Sequence, residues 1–212
     1  MRRGLHWGCG LLAPLLLSAC FSIGTGSEAG PQVHRRLVDA GAEPARRAQP
    51  LVDALLIQPL PADALADTVS IAYSQRSHEF AFYQLAAWTE RPVRQLPRLL
   101  QRRLEARGVA AAVGLLGEPL RADWLLTLAV DTLHHDVSAP PGQARLAVTV
   151  ELFDRRHQAR VARRSFTADV PTARADSAAA AVAMSLAVAA VFDAMLPWLE
   201  DELQRAAAKS GP

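Results

Sequence analysis

The sequence lacks the signatures that mark most enzymes. It has no glycine-rich phosphate loop, no nucleophile elbow and no His-Glu-x-x-His zinc motif. Cysteine is nearly absent: Cys9 and Cys20 stand alone in 212 residues. Aromatics make up only 6% of the chain, so the core must be mainly aliphatic. The plentiful alanine and leucine suit helices packed on a sheet. Charge of one sign is missing too. Lys and Arg number 23 against 21 Asp and Glu, so bulk charge gives no reason to expect nucleic acid. No internal repeat is evident.

What is present begins at the N-terminus. Arg2 and Arg3 form a positive start, and Leu11 to Leu17 form an apolar run too short to span a bilayer. Ser18 and Ala19 are small, as a signal peptidase requires. The sequence Leu17-Ser18-Ala19-Cys20 resembles the lipobox of bacterial lipoprotein export signals. That resemblance implies cleavage before Cys20 and an N-acyl diglyceride on it, with no other cofactor. An ordinary cysteine beside an ordinary signal is the competing reading. Two or more acyl chains would anchor the protein stably, where one would not. Phe21, where the enterobacterial pattern uses Asp for inner-membrane retention, points to the outer membrane. The signal would remove Arg2, Arg3 and Cys9, which leaves a near-neutral chain whose single thiol is acylated and free of disulfides.

The expected organisation is a signal peptide at 1–19, a lipidated tether with a candidate first strand at 20–50, a domain at 51–206 and a tail at 207–212. Phe21 to Gly30 is rich in Gly, Ser and Thr and reads as a tether. Val33 to Asp39 is the candidate first strand, followed by a loop from Ala40 to Pro50. Ala54 to Leu60 is a short apolar run closed by Pro59 and Pro61, as in a buried strand. Thr68 to Tyr73 alternates with a two-residue period, Ser74 to His78 turns, and Glu79 to Leu85 returns. Phe80 and Phe82 fall on one side of that returning strand and Tyr83 on the other.

Helix signals follow. Thr89 is a plausible N-cap, with Glu90 and Pro92 suited to the first turn. Val93, Leu96, Leu100 and Leu104 share one face; Arg91, Arg94, Arg98 and Arg102 share the other; Gly108 ends the helix. Val109 to Val113, Asp123 to Asp136, Ala144 to Phe153 and Ala159 to Val170 read as strands, the last three an antiparallel meander. Asp176 can cap a final helix from Ser177 to about Ala206. Its uncharged stretch from Ala178 to Phe192 admits a membrane span. Asp193, Pro197 and the anchor already supplied at Cys20 favour a helix lying on the sheet, and Pro197 should kink or end it. The fold class is α+β: an antiparallel or mixed β-sheet with two main helices packed on one face.

Candidate sites are few. His134-His135, near Asp131 and Asp136, is the best metal-binding pattern. Adjacent strand residues point to opposite faces, so the pair does not converge, and solvated strand-end histidines are expected with no metal. The stripe Arg91, Arg94, Arg98, Arg102 could meet anionic headgroups or an acidic partner, against the plainer reading of a solvated face. Trp88 and Trp198 read as core. Tyr73, Phe80, Phe82 and Tyr83 make an aromatic hairpin, one face of which is expected to meet an apolar partner.

Several stretches together carry a family likeness. They are Leu56-Ile57-Gln58-Pro59-Leu60, Ala64-Leu65-Ala66-Asp67, Ile71-Ala72-Tyr73, Phe82-Tyr83 and Trp88-Thr89-Glu90-Arg91-Pro92 before a leucine-rich helix. The sequence resembles the ABC-type transport auxiliary lipoproteins, the PqiC-like outer-membrane lipoproteins, over about Leu51 to Leu199. The resemblance implies a non-enzymatic protein on the periplasmic face of the outer membrane. Its partners would be an MCE-domain periplasmic protein and an ABC-type or related inner-membrane transporter that moves lipids across the periplasm. It is compatible with a homo-oligomer. A secretion pilotin, a lipopolysaccharide-assembly lipoprotein and a periplasmic metal-binder using His134 and His135 are the competing readings.

Overall fold

A computed structural model describes residues 31–61 and 63–209. The signal, Cys20, the tether and the last residues of the tail lie outside them. In chain order the elements are β1 (Val33–Arg35), β2 (Val52–Pro59), β3 (Ser70–Arg76), β4 (Glu79–Trp88), α1 (Pro92–Arg107), β5 (Ala110–Leu115), β6 (Trp124–Asp136), β7 (Gln143–Asp154), β8 (Ala159–Pro171) and α2 (Ser177–Lys209).

The strands form one mixed sheet of eight among the described residues. β6 is its central beam. β7 pairs with it antiparallel along its whole length, from Trp124 opposite Asp154 to Asp136 opposite Gln143. Two strands share the other edge. β2 runs parallel to the first half, Leu55 beside Trp124, and β3 runs parallel to the end, Tyr73 beside His135. The sheet therefore forks into a β2–β5 limb and a β3–β4–β1 limb. β8 continues antiparallel beyond β7.

Period-two patterning explains the burial. Leu146, Val148, Val150 and Leu152 of β7 are buried, as are Leu126, Leu128, Val130 and Leu133 of β6. Both sets turn to the side on which α1 and α2 lie. α2 adds Met184, Val188, Val191, Phe192 and Leu199 to that core. α2 is apolar enough to cross a membrane, but 67% of its most apolar window is buried within the domain. It is a core helix, and its alanines let it lie close to the sheet. Trp88 and Trp198 are both buried.

Several expected boundaries move. Trp88 belongs to β4, and the N-cap of α1 is Arg91 rather than Thr89, with Pro92 in the first turn and no side-chain cap. Proline supplies the helical φ and has no N–H to satisfy, which makes the threonine cap dispensable. β3 runs on to Arg76, and the turn shrinks to Ser77-His78, where His78 takes a φ of 65°. Pro197 sits inside α2 and does not end it. Its ring is exposed, while Trp198 and Leu199 beside it are buried and hold the chain in place. Gly108 does end α1, at φ 71°, with Val109 N–H donating back to Leu104 O. Asp176 caps α2 through the N–H groups of Ala178 and Ala179.

The candidate first strand is three residues long, parallel to β4. Beyond it the chain becomes a strap between the helices. Leu37 is buried, and Gln95 donates to its carbonyl. Arg103, buried on α1, bridges Asp39 of the strap (2.9 Å) and Asp193 of α2 (3.0 Å). Its guanidinium, through Nη2, fills the space a Cβ on Gly41 would enter. Further on, Glu200 of α2 takes Arg107 at 2.6 Å and Arg47 at 3.0 Å. Burial alone would raise the Glu200 carboxyl, but the two guanidinium groups hold it below its usual range.

Gly41→Ala is expected to displace Arg103, lower the melting temperature and leave secondary structure by circular dichroism intact. Phe192→Ala, by opening a cavity in the core, should cost about 3–5 kcal/mol in chemical denaturation. A loss under about 1 kcal/mol would show that α2 packs more loosely than described.

Candidate functional site: the hairpin limb and its buried tie

β3 and β4 carry the four aromatics, and the pleat divides them. Phe80 and Phe82 lie on the side away from the helices and are exposed. Phe80 meets His134 edge-on, ring centroids 5.1 Å apart. Tyr83 turns the other way. Its ring lies 4.8 Å from that of Tyr73, and its hydroxyl is 2.8 Å from His135 Nδ1. As the two-residue period requires, Phe80 and Phe82 stay outside while Tyr83 turns to the other side, where it meets Tyr73.

His134 and His135 do point to opposite faces, as the pleat requires. Neither is a solvated strand-end residue: His135 is fully buried and His134 is half-buried. His135 Nε2 lies 3.0 Å from Thr172 Oγ1, which donates to Pro141 O at 2.8 Å. The directions follow. Thr172 spends its hydrogen on the carbonyl, so it accepts from His135 Nε2–H, and Nδ1 accepts from Tyr83 O–H. The ring is a neutral imidazole. Burial pushes its pKa down, against the pull of Asp136 and Asp176. Burial also lowers His134 and raises the Tyr83 hydroxyl to about 12. One imidazole thus ties the hairpin, β6, the β6–β7 loop and the link into α2. Leu133 and His135 share the inward register of β6, which was the signal for burial of His135. Thr172 and Pro141 had none.

The arginine stripe is exposed as the helical spacing requires. Arg91 pairs with Asp67 at 3.2 Å. Arg94, Arg98 and Arg102 have no ion pair among the described residues. Arg98 and Arg102 line a groove of about 940 Å³ beside the strap, together with Arg36, Glu43 and Glu90. Its mixed charge does not make an anion pocket. Among the described residues, no group of three His, Cys, Asp or Glu side chains could hold a metal ion. The clamp residues Arg103 and Glu200 escape a sequence reading, because nothing marks Arg103 apart from Arg102 except its helical angle.

Two outcomes are expected of the buried tie. Tyr83→Phe leaves His135 Nδ1 unsatisfied and should cost about 1–3 kcal/mol. The folded pKa values of His134 and His135 are depressed, so the unfolded chain takes up protons first. The stability they contribute is complete above pH ~6.5 and falls as pH drops below it. Urea titrations between pH 7.5 and 5 should show that fall, and a pH-independent midpoint there would contradict it.

Comparison with known proteins agrees with this architecture. The family model for the ABC-type transport auxiliary lipoprotein component matches residues 37–195. A solved structure from Xanthomonas campestris, described under the family label DUF330, superposes with a TM-score of 0.73 at 23% identity. It covers 83% of this chain and 99% of that one. A second solved structure, of an uncharacterized protein, gives 0.62 at 11% identity, covering 80% and 99%. At these identities the structures speak for the fold alone. No curated protein matches the sequence significantly. With the family match covering the strap, strands β2 to β8, α1 and the first half of α2, the chain belongs to the ABC-type transport auxiliary lipoprotein component family.

Proposed function

We propose that this protein is a non-enzymatic lipoprotein, held by acylated Cys20 on the periplasmic face of the outer membrane. There it serves as the auxiliary component of an ABC/MCE-type system that moves phospholipid across the periplasm. The family match over residues 37–195 carries the reading, and the lipobox at Leu17–Cys20 supports it independently. The chemistry of the fold is consistent with a binding role. The one fully buried histidine among the described residues has both nitrogens engaged and offers none to a ligand.

On this reading the periplasmic partner meets α1. Arg94, Arg98 and Arg102 present charge with no ion pair among the described residues, a surface suited to an acidic partner. The partner expected is the MCE-domain protein of the same system. Crosslinking in intact cells and affinity purification of the lipoprotein should recover it. The triple variant Arg94→Glu/Arg98→Glu/Arg102→Glu should reduce recovery about tenfold or more, a coupling of roughly 1.4 kcal/mol or above, with an unchanged melting temperature. Recovery of a secretion or lipopolysaccharide-assembly protein instead would replace this reading.

A further inference from the structure

The exposed apolar side chains are not spread evenly. Of the ten large ones among the described residues, five lie on or beside the β3–β4–β1 limb: Val33 (47% exposed), Val69 (43%), Phe80 (46%), Phe82 (44%) and Leu85 (55%). Leu85 stands where β4 carries extra residues. Between the pairs Ala72–Phe82 and Ser70–Ala87, β3 advances two residues and β4 five, an excess of three. The core does not require an apolar side chain there. Basic groups surround the set. His34, Arg35 and Arg36 follow Val33, and Arg76 stands at the turn, with Glu79 as its ion-pair partner.

The chain itself says what faces this limb. β1, its edge strand, is the first element among the described residues, and Val33 lies beside Ala86 of β4. Ten residues separate Cys20 from Pro31. Fully extended, that link reaches at most roughly 40 Å; as a Gly/Ser-rich coil it averages roughly 20 Å. An acyl anchor on Cys20 would therefore hold this limb closest to the bilayer.

We infer that the β3–β4–β1 limb seats the domain on the anionic inner surface of the membrane that anchors it. Phe80, Phe82 and Leu85 enter the headgroup boundary, and Arg35 and Arg76 reach lipid phosphates. The inference rests on the proposed acylation of Cys20. Aromatic and aliphatic side chains beside arginines are the composition that interfaces of this kind select. The seat leaves the arginines of α1 to the periplasmic partner.

The test uses the native lipoprotein, reconstituted in vesicles of phosphatidylethanolamine and phosphatidylglycerol. With Cys20 acylated, a cysteine introduced at one position is the single free thiol. An environment-sensitive fluorophore is placed in Phe82→Cys, in Leu85→Cys and, as a control, in Val182→Cys on the outer face of α2. Brominated lipids should quench positions 82 and 85 several-fold more than 182, and raising the salt should weaken the difference. A thermal melt of each labelled protein shows that it is folded, and position 85 serves if 82 is not. Vesicle-bound protein with no excess quenching at 82 or 85 would overturn the seat and leave the anchor standing. Failure of the protein to stay with the vesicles would overturn the anchor and the seat together. Shielding of 82 and 85 by an added periplasmic protein, and not by lipid, would assign the limb to that protein and overturn the seat.

Discussion

One edge of β6 has to serve two strands. β2 takes its first half and β3 its end, and the register shift between Val130 and Thr132 lies between them. The rest of the molecule depends on that division. Because β7 occupies the whole opposite edge, the sheet can grow on this side only by forking. One limb, β2–β5, is covered by α1. The other, β3–β4–β1, gives Ile71, Ala86 and Trp88 to the core and keeps Phe80 and Phe82 exposed on its outer side.

The fork needs bracing, and two polar devices supply it. On the helix side the strap from Leu37 to Arg47 is clamped by Arg103 and Glu200, which join it to α1 and α2. On the sheet side His135 joins Tyr83 of the projecting limb to Thr172 and the loop at Pro141. In the second, both ring nitrogens of the buried His135 have their hydrogen bonds met, the condition under which a buried polar group fixes geometry rather than loosens it. The imidazole thereby fixes the direction of the β3–β4 hairpin relative to β6.

The sequence shows some of this and hides the rest. Strands β6 to β8 and both helices are legible because alternation and helical spacing reflect burial directly, as Val148 and Leu104 illustrate. Asp176 and Gly108 are legible because capping is local chemistry. The parallel pairing of β2 and β3 with β6 is not local: it depends on which edges remain free after β7 has docked. Thr89 misleads, because proline at the helix start removes the need for its side chain. The aromatic cluster is legible in composition and in the split of Phe80 and Phe82 from Tyr83, but the partner of Tyr83 is not, since His135 lies 52 residues away. Arg103 looks like its surface neighbours until the strap is folded over it.

The central claim is that the domain works from a membrane anchor at Cys20. The most direct measurement is the intact mass and N-terminal peptide mass of the protein isolated from envelope membranes. The account predicts a chain that begins at Cys20 and carries a diacylglyceryl group on its thiol and a further acyl chain on its amine. A mature chain that begins elsewhere, or one with an unmodified Cys20, would contradict it.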